Sequence, residues 1–205
     1  MKTGQAGIKL IKQFEGCRLT AYKCPAGVWT IGYGHTQGVL QGQTITQAQA
    51  EQMLVADLGR YERNVNKYQD KYEWSQNEFD ALISFAYNIG GIDQLTAGGT
   101  RTRQEIADKM LLYNKANGKA LAGLTKRRQA ERELFMTTSC RTLRKGDRGA
   151  DVRTLQTLLT KAGYTVAVDG IFGNKTYESV KAYQADNGLV VDGVVGKATW
   201  KVLSK

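Results

Sequence analysis

The chain is poor in the side chains that bind metals or build histidine-based active sites. It holds one histidine (His35) and three cysteines (Cys17, Cys24 and Cys140) in 205 residues. The cysteines lie seven and then 116 residues apart, which matches no zinc pattern, so no metal and no other cofactor is expected. A Ser-His-Asp or Cys-His arrangement could draw only on His35. An odd cysteine count excludes a complete disulfide framework within one chain and points to reduced thiols made in a cytosol. No run of about 18 apolar residues exists, which argues against a helical membrane span or stable membrane insertion. The opening residues, MKTGQAGIKLIKQFEG, lack an apolar stretch of signal-peptide type, so no secretory signal is expected.

What is present is ordinary for a globular protein: 41% hydrophobic and 23% charged residues. The length allows one large domain or two small ones, either with a real core. Lys and Arg number 29 against 19 Asp and Glu, a formal charge of +10. That excess implies an acidic partner, whether nucleic acid, membrane surface or anionic polymer. No nucleic-acid motif accompanies it, so no nucleic-acid partner is expected.

A polar stretch, Thr137-Thr138-Ser139-Cys140-Arg141, suggests a boundary between domains 1–138 and 139–205. Residues 1–140 carry 18 basic and 13 acidic side chains, and residues 141–205 carry 11 and 6. Each part is therefore +5, and the charge is not a tail. The first part reads as α+β, a small hairpin lobe followed by a helical lobe. Ile8, Leu10, Ile11 and Phe14 give a short apolar helical face leading to Glu15. Leu19, Ala21 and Tyr22, a Pro25-Ala26-Gly27 turn and Val28-Trp29-Thr30-Ile31 read as a hairpin. Thr46 suits a helix N-cap, and Ser75 to Glu78 and Thr102 to Glu105 read as capping boxes. The first of these boxes opens a helix with Phe79, Leu82, Ile83 and Ala86 on one face. A last basic helix runs near Thr125 to Phe135.

The second part contains a repeat. Val168-Asp169-Gly170-Ile171-Phe172-Gly173-Asn174-Lys175-Thr176-Tyr177 matches Val191-Asp192-Gly193-Val194-Val195-Gly196-Lys197-Ala198-Thr199-Trp200 at a period of 23. With a preceding helix carrying Val152, Leu155, Leu158 and Leu159 and closed by Gly163, this reads as three short helices joined by Asp-Gly turns. Leu155, Phe172, Val180 and Trp200 fall at core positions.

Glu15-Gly16, Tyr22 and the string Gly27-Val28-Trp29-Thr30-Ile31-Gly32-Tyr33-Gly34-His35 together resemble the phage-type lysozymes (endolysins). Their pattern is a Glu, eight residues, an Asp, five residues and a Thr, followed by Ile-Gly-x-Gly-His. Asp80 to Gly90 and Gly123 to Glu131 extend the resemblance, which covers roughly residues 5–136. It implies a two-lobed lysozyme-like domain that hydrolyses the β-1,4 bond between N-acetylmuramic acid and N-acetylglucosamine. Glu15 would give a proton to the leaving oxygen, and Thr30 would hold water on the other face of the sugar. Tyr87 and Asn88 fall where the family contacts glycan. A buried Tyr and a helix-terminal Asn are the structural reading of the same two residues.

The departure is at position 24, where Cys24 replaces the family's Asp. A carboxyl with a reference pKa of about 3.9 gives way to a thiol at about 8.5. Lys23 and Arg18 are close in sequence and could lower that value. Some members of the family carry Cys here. Three readings stand: a catalytic thiolate acting as base or nucleophile, a bystander to Glu15 and Thr30, or a disulfide partner of Cys17 or Cys140. His35 reads as structural, through a hydrogen bond or ion pair. Lys126, Arg127, Arg128 and Arg132 read as a solvated basic face that could also attract wall polymers.

Leu143 to Gln156, the two Asp-Gly-x-x-Gly-x-x-Thr units and Tyr183-Gln184 resemble the peptidoglycan-binding domain of wall hydrolases, across residues 141–205. Such a module implies tethering to an insoluble substrate, which raises the local concentration of the cleft. Peptidoglycan is then the partner, the protein a monomer, and its location the host cytoplasm until release to the wall. A lytic transglycosylase, needing one Glu and no second carboxylate, is the alternative enzyme. A basic, envelope-disrupting wall-binding protein is the alternative outside enzymes.

Overall fold

The computed structural model describes residues 1–137 and 142–203, so Cys140 and the expected 138/139 boundary lie outside the described residues. Two compact units form, Met1–Lys71 with Gln76–Met136, and Tyr72–Ser75 with the described residues of Thr137–Lys205.

The first unit opens with α1 (Gln5–Glu15), whose buried side is Gly7, Leu10 and Ile11. Its N-cap, Gly4, has no side chain to satisfy the helix's first N–H groups. Asp80 does so from elsewhere, accepting from Gly4 N at 2.7 Å and Gly7 N at 3.0 Å. A carboxylate at a helix N-terminus is favoured by both the hydrogen bonds and the dipole. The start of α1 is thereby pinned, which fixes where Glu15 stands at its other end.

A hairpin follows. β1 (Arg18–Lys23) pairs antiparallel with β2 (Trp29–Gly32), with Tyr22 opposite Thr30 and Lys23 opposite Trp29. The turn closes through Cys24 N to Val28 O (3.0 Å) and Gly27 N to Cys24 O (2.8 Å). Gly27 takes φ +78°, a left-handed conformation that glycine adopts without a Cβ penalty.

The helical lobe holds α2 (Gln47–Asn66), α3 (Gln69–Tyr72), α4 (Gln76–Ile89), α5 (Asp93–Thr96), α6 (Arg103–Met110), a two-residue hairpin of β3 (Lys115–Ala116) and β4 (Lys119–Ala120), and α7 (Ala122–Met136). Thr46 with Gln49, and Thr102 with Glu105, form the capping boxes that open α2 and α6. The expected single apolar face of α4 is a correction: every residue from Glu78 to Ala86 is buried, Asp80 and Ser84 included. A helix covered on all sides is a core helix, and its polar residues must find partners inside.

The second unit holds α8 (Ala150–Lys161), α9 (Asn174–Asp186) and α10 (Lys197–Leu203) around Leu143, Val152, Leu155, Leu159, Phe172, Val180, Val195 and Trp200. Its repeat is held by two buried glutamines. Gln156 Nε2 donates to Asp169 Oδ1 (2.8 Å) and Ile171 O (3.0 Å), while its Oε1 accepts from Gly170 N (2.8 Å). Gln184 repeats the set on Asp192 (3.0 Å), Val194 O (3.0 Å) and Gly193 N (2.9 Å). Each Asp-Gly turn is thus closed by an amide that satisfies both its donors and its acceptors.

Candidate active site

Glu15, at the C-terminal end of α1, meets the polar interior of α4 and α7. Its Oε1 accepts from Arg127 Nη1 at 2.7 Å, with 24% of the Glu15 side chain open and 3% of the Arg127 side chain. Arg127 in turn donates through Nε to Glu131 Oε1 (3.1 Å) and through Nη2 to Ser84 O (3.1 Å). Arg128 donates through Nη2 to Glu131 Oε1 and to Asn88 Oδ1, both at 3.1 Å. Its Nε and Glu131 Oε2 are 2.9 Å apart but not aligned for a hydrogen bond, so that contact is an ion pair only. Burial pushes the Glu131 carboxyl up and the Arg128 guanidinium down, each opposed by the other's charge. This corrects the solvated basic face: Lys126 is exposed, but Arg127 and Arg128 are buried. The missed signal is Arg127 and Glu131 at i, i+4, in step with Phe135, the apolar anchor of the same side.

On the hairpin, the Cys24 thiol is held below its ordinary range, first by the backbone N–H of Val28, then by that of Ala26, and also by the Thr30 hydroxyl. The turn makes a small concave set of donors, which favours a thiolate. The expected role of Lys23 and Arg18 is a correction, because neither is a cause of the shift. Lys23 Nζ stands 5.4 Å over the Trp29 ring and the Arg18 guanidinium 4.3 Å over Tyr22. Thr30 is buried, and its hydroxyl lies 3.1 Å from Val28 O. One hydroxyl carries one proton, so it serves either that carbonyl or the thiolate. Structure thus brings Cys24 and Thr30 together.

Cys17 and Cys24 are free thiols at opposite ends of β1. Seven residue steps of extended chain span roughly 20 Å, far beyond the roughly 7 Å that a disulfide tolerates between Cα atoms. The pairing of Cys17 with Cys24 is therefore incompatible with an intact β1.

Tyr87 donates to Tyr33 O at 2.8 Å and packs 5.1 Å from the Tyr61 ring. Burial, and then the charges of Asp57 and Glu15, push its hydroxyl far above the usual tyrosine range. Asn88 is exposed, with its Oδ1 on Arg128. His35 Nδ1 lies 2.9 Å from Asp57 Oδ2, and Nε2 lies 2.9 Å from Gln37 O, the structural pairing expected for it. Among the described residues, no group of three or more His, Cys, Asp or Glu converges to hold a metal ion.

A hairpin lobe and a helical lobe with this buried charge network define a lysozyme-like fold. The chain belongs to the phage lysozyme family, whose model matches residues 12–131. Residues 148–203 match the model for a putative peptidoglycan binding domain. The chain is 46% identical over 138 residues to the endolysin of Lactococcus phage c2, covering 66% of this chain and 60% of that one. It is 42% identical over 148 residues to the endolysin of Acyrthosiphon pisum secondary endosymbiont phage 1, covering 66% and 98%. Among solved structures, the muramidase domain of SpmX from Asticaccaulis excentricus matches at 37% identity and TM-score 0.60, covering 66% and 98%. The endolysin from Escherichia coli O157:H7 phage FAHEc1 matches at 36% identity and TM-score 0.58, covering 68% and 96%. The chain spans 60% of the length of the Lactococcus phage endolysins it matches.

Proposed function

We propose that this protein is an endolysin that hydrolyses the β-1,4 bond between N-acetylmuramic acid and N-acetylglucosamine in bacterial peptidoglycan. Residues 1–138 are the cutting domain, and residues 139–205 hold it on the wall. The observation that carries the reading is Glu15: a partly open carboxylate seated on a buried guanidinium, in a chain of the phage lysozyme family. Glu15 in its protonated form gives that proton to the glycosidic oxygen as the C1–O bond breaks, and the Arg127 guanidinium stabilises the carboxylate left behind. Water adds to C1 and its proton passes to the Cys24 thiolate, with the Thr30 hydroxyl orienting the water. Both groups return to their starting states by exchange with solvent. Tyr87 and Asn88 contact the sugar, and the +10 charge draws the protein to an anionic wall.

The test is a digest of purified peptidoglycan with analysis of the ends, repeated after thiol alkylation. Reducing muramic ends are expected from the untreated protein. 1,6-Anhydro ends would make it a transglycosylase, and no soluble fragments would leave only wall binding. Loss of activity on alkylation supports Cys24, and undiminished activity makes it a bystander.

A further inference from the structure

We propose that Glu131 is a positioning residue: it touches no substrate, and it aims Arg127 at the acid Glu15 and Arg128 at Asn88 from one buried carboxylate. This rests on the muramidase reading above.

The geometry is over-determined around Arg127. Its Nε is on Glu131 and its Nη2 is on Ser84 O. A guanidinium is a rigid planar fork, so with those two nitrogens clamped Nη1 has one direction left. Glu15 Oε1 lies along it. Arg128 is held less fully. Its Nη1 is buried without a partner, which leaves Glu131 and Asn88 as its polar anchors. Glu131 Oε1 also accepts from Ser84 Oγ at 2.8 Å, which fixes the carboxylate itself to α4.

Charge makes the same case. With Glu15 ionised, Glu15 and Glu131 balance Arg127 and Arg128; with Glu15 protonated for the acid step, Glu131 is the one carboxylate of the four set against the two guanidinium groups. Removing Glu131 would leave two buried guanidinium groups, neighbours on α7, sharing the charge of Glu15 alone. Apolar residues of similar volume often fill a core as well as a buried set of ion pairs, so its use beside the acid points to placement. One rigid group on α7 then links proton donation to a sugar-contacting side chain.

The test is steady-state hydrolysis of solubilised glycan strands by the full chain, with thermal unfolding in parallel. Glu131→Gln keeps the volume and removes the charge. It is expected to lower kcat about tenfold or more, the loss of about 1.4 kcal/mol of transition-state stabilisation, and to raise KM as Asn88 drifts. Glu131→Asp, which keeps the charge, should recover part of kcat. A fold-keeping role alone would lower Tm and leave kcat and KM of the folded enzyme within about twofold of wild type. That result would overturn the proposal. Should Glu131→Gln fail to fold, Ser84→Ala leaves all four charges in place and loosens Oε1. A severalfold drop in its kcat supports the proposal, and an unchanged kcat overturns it. Glu15→Gln, run alongside, separates the two ideas. If it is inactive while Glu131→Gln is normal, positioning fails and the muramidase reading stands. If Glu15→Gln stays active, the reading itself fails.

Discussion

Glu15 Oε1 and Arg127 Nη1 sit 2.7 Å apart across 112 residues of sequence, joining the end of α1 to the buried side of α7. This one pair ties the candidate acid to the helical core.

Removing the acid proton is the first check. Glu15→Gln should lower peptidoglycan hydrolysis at least about a hundredfold, while circular dichroism and Tm stay close to wild type.

The thiol makes a second. Cys24→Ser should lose most activity, Cys17→Ser should stay near wild type, and Cys24→Asp should keep a good share. Equal loss in the two serine variants would sink the thiolate role. Because the folded thiol lies below its ordinary range, iodoacetamide should modify Cys24 at a pH where an ordinary cysteine, with a pKa of about 8.5, is still mostly protonated. The rate should fall as pH drops through the lowered value.

Either buried glutamine should be costly to lose. Gln156→Ala strands the Gly170 N–H and the Asp169 turn, and Gln184→Ala does the same at Gly193. Each should destabilise the second unit by about 2–4 kcal/mol, read as a lowered Tm in calorimetry of the full chain.

The two Asp-Gly turns should differ under the same substitution. A Cβ on Gly193 would overlap the Tyr177 ring, whereas one on Gly170 meets the Arg153 side chain at 3.1 Å. Both have positive φ. Gly193→Ala should cost roughly 3 kcal/mol and Gly170→Ala about 1 kcal/mol, measured by denaturant unfolding.

Acid should release the N-terminus. Burial alone would raise the Glu62 carboxyl, but Lys2 Nζ (2.7 Å) and the backbone and hydroxyl of Thr3 (both 2.9 Å) outweigh it and hold it low. A depressed folded value gives stability that is present above the ordinary glutamate value of about 4.3 and lost as pH falls through the folded value. Wild type should therefore be more stable than Glu62→Gln at pH 7. That difference should vanish in urea titrations well below pH 4.

Much of the architecture was readable along the chain. The hairpin around Pro25-Ala26-Gly27, the Thr46 cap, the Thr102–Glu105 box and the 23-residue repeat all declare themselves through neighbours in sequence. The position of Glu15 at the end of an apolar face was legible for the same reason. The environment of Glu15 was not. Arg127 and Arg128 look like any basic helix face until α7 is laid against α4, and Asp80 looks like an exposed acid until α1 begins beside it.

Backbone conformation is set within a few residues, by caps, glycines and the alternation of apolar side chains, and those signals need no partner to be read. Burial of a charge is different in kind. It depends on which helix comes to lie opposite and on whether three or four distant groups arrive to share that charge, so the network of Glu15, Arg127, Arg128 and Glu131 exists only once the chain is packed.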